Sequence, residues 1–364
     1  MANPLRNWVD RFLGRGDAAV TVPPLDGALK PNNLLEEARI GLGIPAPDNL
    51  VSTGEALIFS SGNRLLRQPF DGSVGAAFGI SEGTVSAMAW SASGVLAVAS
   101  GGKIAFRNSA ADIVPSLSGG TENWSGVTAM DFAADGSLVV AVGSAKNGLD
   151  EWQRDLLDGE RAGSVWRLDP KTGSARPITT KLAYPNGIVV EADGNIVVSE
   201  AWHKRLVRIS PDGGVLGQVM EDLPGYPARL SRSARGGYWL SVFAPRSPLI
   251  EFVLREPAYR KVMMAEVAPE FWIAPALKSG ESFREPMQGG ALKQMGILKP
   301  WAPTRSYGLV VELAADFTPL RSFHSRAGGR RHGVTSAVEA GGKLWASSKG
   351  GDELVAIDLG PEEA

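Results

Sequence analysis

The chain has 364 residues, among them 44 Gly and 24 Pro but no Cys, and a formal net charge of -2. The lack of Cys excludes disulfides, thiolate metal sites and a Cys nucleophile together, and the absence of any block of like charges argues against a nucleic-acid groove or a polybasic membrane patch. No apolar run reaches the roughly 18 to 20 residues of a membrane span, and Met1-Ala2-Asn3-Pro4 lacks the basic and apolar regions of a signal peptide, so the sequence predicts a soluble, cytoplasmic protein.

In chain order, residues 1–45 read as an extension. Leu5, Trp8, Val9, Phe12 and Leu13 fall on one face of a short amphipathic helix, expected to pack on the flank of the main domain or to dock to a membrane or partner. Residues 46–359 then repeat one pattern six times: a turn around Asp, Ser or Ala and Gly, an apolar strand, a break and a second strand. Ser91-Ala92-Ser93-Gly94 precedes Val95-Leu96-Ala97-Val98, Ala134-Asp135-Gly136 precedes Leu138-Val139-Val140, and Ala192-Asp193-Gly194 precedes Ile196-Val197-Val198. Repeats of this kind, roughly 40 to 50 residues long, predict an all-β, six-bladed propeller.

Two insertions interrupt the spacing. The first, 146–161, is charged and contains Trp152. The second, 256–301, holds Phe271, Trp272, Pro275, Met287, Met295 and Trp301, and is expected between blades five and six as a partly helical lid over the tunnel mouth or as packing on the propeller's side. Ring closure needs a strand from outside the last blade, supplied by 306–313 or by the N-terminal segment.

A propeller concentrates its chemistry at one end of the central tunnel. Residues one strand-length before each Gly turn should form that mouth: Asp48 and Asn49; Thr84 and Ser86; Asn123, Trp124 and Thr128; Tyr184 and Asn186; Tyr226 and Arg229; His332 and Thr335. The second strand of blade four runs back to the same end and adds Glu200, Trp202 and His203. Trp124, Trp152, Trp202, Trp272 and Trp301 are candidates for an aromatic pocket, whereas Trp166, Trp239 and Trp345 lie in strands that read as core.

Within this frame, Leu182-Ala183-Tyr184-Pro185-Asn186-Gly187, Asp193-Gly194, Ser199-Glu200, Leu223-Pro224-Gly225-Tyr226-Pro227 and Ala244-Pro245-Arg246 resemble the strictosidine synthase-like family. That family shares a six-bladed propeller superfamily with paraoxonases and gluconolactonases. The resemblance implies a tunnel-mouth site and, in the metal-dependent relatives, a calcium ion held by carboxylate and Asn oxygens from several blades. Asp48, Asn49 and Asn186 match such ligands. Thr128 and Arg229 stand where further ligands would be, so the protein is expected to need no cofactor or, alternatively, to bind Ca²⁺. In strictosidine synthase itself a Glu at the start of the last inner strand acts as acid/base; here that stretch is His332-Gly333-Val334-Thr335-Ser336, and Glu200 or Asp48 would have to take the role.

Weighing these residues gives the expected chemistry. His332 or Glu200 moves a proton and Arg229 stabilises negative charge; the alternatives are a loop-bonded His, a Glu200 ion pair to Arg205 or Arg229, and an Arg229–Asp48 pair that plugs the former metal site. Asn186, Trp124, Thr128, Trp202, His203, Tyr226, Thr335 and Trp272 contact a small-molecule substrate. The predicted activity is hydrolysis of an ester or lactone of an apolar or aromatic compound; the alternatives are a metal-free lyase or condensing enzyme and a non-catalytic, metabolite-binding propeller. Oligomeric state is left open.

Overall fold

A computed structural model of the chain describes residues 22–70, 75–108, 112–113, 124, 126–279, 285, 293–294, 297–298 and 305–359. The amphipathic face of Leu5 to Leu13, and Asn123, Met287, Met295 and Trp301, lie outside the described residues.

Six four-stranded antiparallel sheets form the blades of a propeller. Their innermost strands, Pro47–Ser52, Val85–Trp90, Val127–Phe132, Pro185–Val190, Gly225–Arg232 and Val334–Ala340, neighbour one another in a closed ring around the tunnel. The recurrent Gly turn has a backbone cause: Gly54, Gly94, Gly136, Gly194 and Gly236 all take φ between +82 and +89°, a region that a side chain enters only with strain. The strand that follows is apolar on both faces because blades pack on each side of it. Leu138–Val142, for example, is buried at every position.

The ring is closed by the N-terminal strand Ile40–Gly43, which pairs antiparallel with Glu353–Asp358 as the outermost strand of blade six. Gly308–Leu313 has a different place: it pairs with Tyr238–Pro245 as the third strand of blade five. The long insertion therefore interrupts blade five, and the expectation that it falls between blades five and six is corrected. The Gly-turn pattern marks only the first two strands of a blade, so the outer half of blade five, stranded beyond the insertion, carried no such mark.

Both insertions leave from the same kind of connection, between the second and third strands of a blade. Second strands run toward the mouth, so both insertions meet there. The first carries helix α1, Trp152–Asp158, which ends at Gly159 in the left-handed region, φ 72°. The second carries α2, Pro248–Val253, and α3, Pro257–Glu266, each with Pro in its first turn. Leu157, Val253, Met263, Trp272 and Ala274 form an apolar cluster joining them. Gln153 Nε2 donates to the Pro275 carbonyl at 2.7 Å and Arg260 to the Leu157 carbonyl. The result is a cap assembled from two blades.

Candidate functional site at the tunnel mouth

Beneath the cap lies a cavity of about 370 Å³, within the size range of small-molecule sites. Its floor is polar. Asp48 Oδ1 accepts hydrogen bonds from Arg229 Nη1 at 2.6 Å, Thr335 Oγ1 at 2.7 Å and the Asn49 amide at 2.8 Å, while Oδ2 accepts from Lys349 Nζ at 2.9 Å. Burial alone would raise the Asp48 pKa, but Arg229 and Lys349 outweigh it and hold the carboxyl far below the usual carboxylate range.

Arg229 also donates Nη2 to the Ser86 carbonyl at 2.8 Å and Nη1 to the Thr335 carbonyl at 3.4 Å. One guanidinium thus ties blade five to blades one, two and six. A second cavity, about 270 Å³, opens at the other end of the tunnel, and Arg229 borders both. The Arg229–Asp48 pair is the septum between them.

The walls are aromatic. Tyr184 and Trp202 stack with centroids 4.4 Å apart, and Trp152 from α1 continues the stack 6.3 Å from Trp202. Trp202 is fixed by its Nε1, which donates to Asp155 Oδ1 at 2.7 Å. Tyr184 is held in the left-handed region, φ 56°, a strained conformation for a bulky side chain. Its hydroxyl has no hydrogen-bond partner among the described residues. Burial, then the charge of Asp155, raises its pKa, so it remains an O–H donor. Phe243 and Leu277 from blade five and its insertion complete the apolar wall, and Asp150 stands at the rim.

Of the residues read from the sequence, Asp48, Thr84, Ser86, Thr128, Tyr184, Asn186, Trp202, Arg229 and Thr335 line this cavity, as does Trp152. Others are elsewhere. His332 is buried away from it, with Nδ1 2.8 Å from Ser306 Oγ and Nε2 2.9 Å from the Arg326 carbonyl. Since a carbonyl only accepts, Nε2 carries the proton and Nδ1 accepts from Ser306. The chain departs from the strand path at Gly333, φ 63°, which turns His332 aside.

Glu200 is buried outside the cavity, bonded to Arg205 Nε at 2.6 Å and the Ala183 amide at 2.8 Å, with His203 Nδ1 at 3.5 Å. Burial would raise its pKa, yet His203, the Ala183 amide and Arg205 hold it at about 2. The expected proton donor is a structural anion, and His203 is its neighbour. Tyr226 is buried behind Trp202 with its hydroxyl donating to Glu251 at 3.2 Å. Trp124 packs edge-on to Trp166 in the core between blades two and three. Trp272 anchors the cap, its Nε1 donating to the Val267 carbonyl at 2.8 Å. Asn49 is buried beside the floor, its Nδ2 donating to Ser60 Oγ at 2.8 Å and the Val85 carbonyl at 3.1 Å.

Lys349, Phe243, Leu149, Asp150 and Leu277 escaped the sequence reading. Lys349 had a signal. It follows the second strand of blade six, Lys343–Ser348, at the mouth end, the same position that singled out Trp202 after the second strand of blade four.

This donor set does not fit calcium, which takes six to eight oxygens. Asp48 is the one carboxylate at the floor, and its oxygens already meet two cationic side chains. The third-blade position is Thr128, whose hydroxyl donates to the Pro185 carbonyl at 2.5 Å. Asn186 Nδ2 faces the Pro227 carbonyl at 3.3 Å. Among the described residues no group of three acids or histidines could hold a metal.

Fold and cavity together define a six-bladed propeller with a small-molecule-sized site at one tunnel mouth. Comparison with known proteins narrows the class. The family model described as strictosidine synthase matches residues 128–210. The adipocyte plasma membrane-associated protein of Danio rerio is 27% identical over 64% of this chain and 52% of its own length. Strictosidine synthase-like 13 of Arabidopsis thaliana is 32% identical over 29% of this chain and 27% of its own. The chain matches about half or less of the length of these relatives. Among solved structures, a gluconolactonase from Xanthomonas campestris superposes over 90% of this chain and 89% of its own, with a TM-score of 0.53 and 14% identity, a likeness of fold. The chain is thus a six-bladed propeller that is similar, over residues 128–210, to the strictosidine synthase family.

Proposed function

We propose that the mouth cavity is the site of a small-molecule enzyme that acts, without a metal, on an ester or lactone of an apolar or aromatic compound. The observation that carries this reading is the cluster of Lys349, Arg229 and Asp48 at the floor of an otherwise aromatic cavity. A cation at that point polarises a substrate carbonyl and meets the negative charge that develops on its oxygen when water adds to the acyl carbon. Tyr184, whose hydroxyl stays protonated, lines the same cavity and is a second donor. The name of the Xanthomonas neighbour carries a lactonase activity, and the likeness to it supports the fold that such chemistry uses.

A panel of aryl esters and aromatic lactones, assayed with the purified full chain with and without a chelator, tests this. Turnover unchanged by the chelator and reduced about 100-fold or more in Lys349→Met is expected. Turnover that disappears with the chelator would overturn the metal-free reading. Saturable binding without turnover would favour a non-catalytic propeller. That second reading has its own support: Asp48 is held ionised and weakly basic, Asp150 is at the rim, and none of the three histidines lines the cavity.

A further inference from the structure

Arg229 and Lys349 are not equivalent. The Arg229 η nitrogens are committed to Asp48, Ser86 and Thr335, and its side chain is 16% exposed against 35% for Lys349. Lys349 contributes one hydrogen bond to Asp48 Oδ2. An ammonium group has three donors, so two remain, and among the described residues nothing else accepts them. Two cations against one carboxylate leave the floor with local excess positive charge, between largely aromatic walls that strengthen its field, while the other lining carboxylate, Asp150, comes from the first insertion. The walls themselves are flat: the stacked Tyr184 and Trp202 with Trp152 beyond.

Resting on the reading above, we propose that the occupant of this cavity is an aromatic carboxylic acid, or the ester or lactone that releases one, with the carboxylate of the acid or the acyl oxygen of the ester on Lys349 and its ring against the Trp202–Tyr184 stack. Arg229 serves as the tie that keeps Asp48 in place across the tunnel. Lys349 is then the residue that touches ligand oxygen: the acyl oxygen of the ester, the oxyanion as water adds, and the carboxylate after the alcohol leaves with its proton. The fixed Asp48 prevents Lys349 from folding away and sets the position of its remaining N–H groups. A neutral ligand of the same shape, the ester included, leaves the excess charge of the floor unpaired and so binds more weakly than the acid.

The test is isothermal titration of the full chain with phenylacetate, 3-phenylpropanoate and indole-3-acetate, each against its primary amide, which keeps the shape and removes the charge. At least one acid is expected to bind about tenfold or more tightly than its amide, with a preference that weakens as salt is added. In Lys349→Met the preference should collapse to about one, and in Lys349→Arg it should persist. Equal binding of acids and amides by the unaltered protein would overturn the charge assignment while leaving a small-molecule site standing. Preference retained in Lys349→Met would move the anion to another residue. If neither acids nor amides bind and no aryl ester is turned over, the reading of the cavity falls with the inference.

Discussion

Glu200 shows how one side chain can carry the appearance of catalysis and the function of a strut. It sits at the mouth end of a second strand, next to a histidine and a tryptophan, but both oxygens are spent on Arg205, His203 and the Ala183 amide. Its folded pKa of about 2 lies below the ordinary 4.5, so it contributes stability that is full above pH 4.5 and lost as pH falls toward 2. The displacement corresponds to about 3 kcal/mol at about 1.36 kcal/mol per unit. Glu200→Gln should therefore unfold more easily at pH 7, by about 2 to 3 kcal/mol, and show a flatter stability profile between pH 5 and pH 3. Urea melts across that range measure it; parallel profiles for the two proteins would remove the ion pair from the account. His332 makes the same point with a neutral ring, since both of its nitrogens are taken by Ser306 and Arg326.

At the scale of elements, the cap depends on apolar contact between segments about 100 residues apart in sequence, and Leu157 of α1 is at its centre, 1% exposed. Leu157→Ala should cost about 2 to 4 kcal/mol locally, through lost transfer energy and an unfilled cavity. The loss belongs to the cap, so faster hydrogen exchange is expected in α2 and α3 while the inner strands keep their protection. Uniform loosening of the inner strands would mean that the cap and the propeller fold as one unit. The mouth residues were legible wherever the strand path is regular: Thr128, Asn186 and Arg229 follow from counting back from a Gly turn. Position failed where the path bends. Gly333 turns His332 outward, and a Cβ there would lie 2.6 Å from the Leu277 carbonyl oxygen, so the bend is enforced by close packing against the insertion. No periodicity records such an approach. Trp124 and Tyr226 were misplaced for a related reason, since a large aromatic beside a mouth suits an inter-blade core as well as a wall.

The whole molecule is a ring, and its closure rests on four residues. Ile40–Gly43 supplies the outer strand of blade six, and Ile40 and Leu42 pack on the apolar cluster shared by blades six and one. A chain begun at residue 46 should lose several kcal/mol and several degrees of melting temperature, because blade six then presents an unpaired edge and exposed apolar surface. Calorimetry and light scattering check this; an unchanged melting temperature with no association would show that the ring is held by its inner strands alone. Among the described residues no helix is long and apolar enough to cross a membrane.

The repeated turn and apolar strand determined the propeller from sequence, because left-handed turns demand Gly and two-faced burial demands unbroken apolar runs. Those local requirements also put Asp48, Asn186, Arg229 and Thr335 at one mouth. Only the tertiary structure decided which cation faces the cavity, since Arg229 and Lys349 come from different blades and meet on a carboxylate from a third. It alone decided between the alternatives open for Glu200 and His332, pairing Glu200 with Arg205 across its own hairpin and turning His332 onto Ser306 and the Arg326 carbonyl, both away from the cavity.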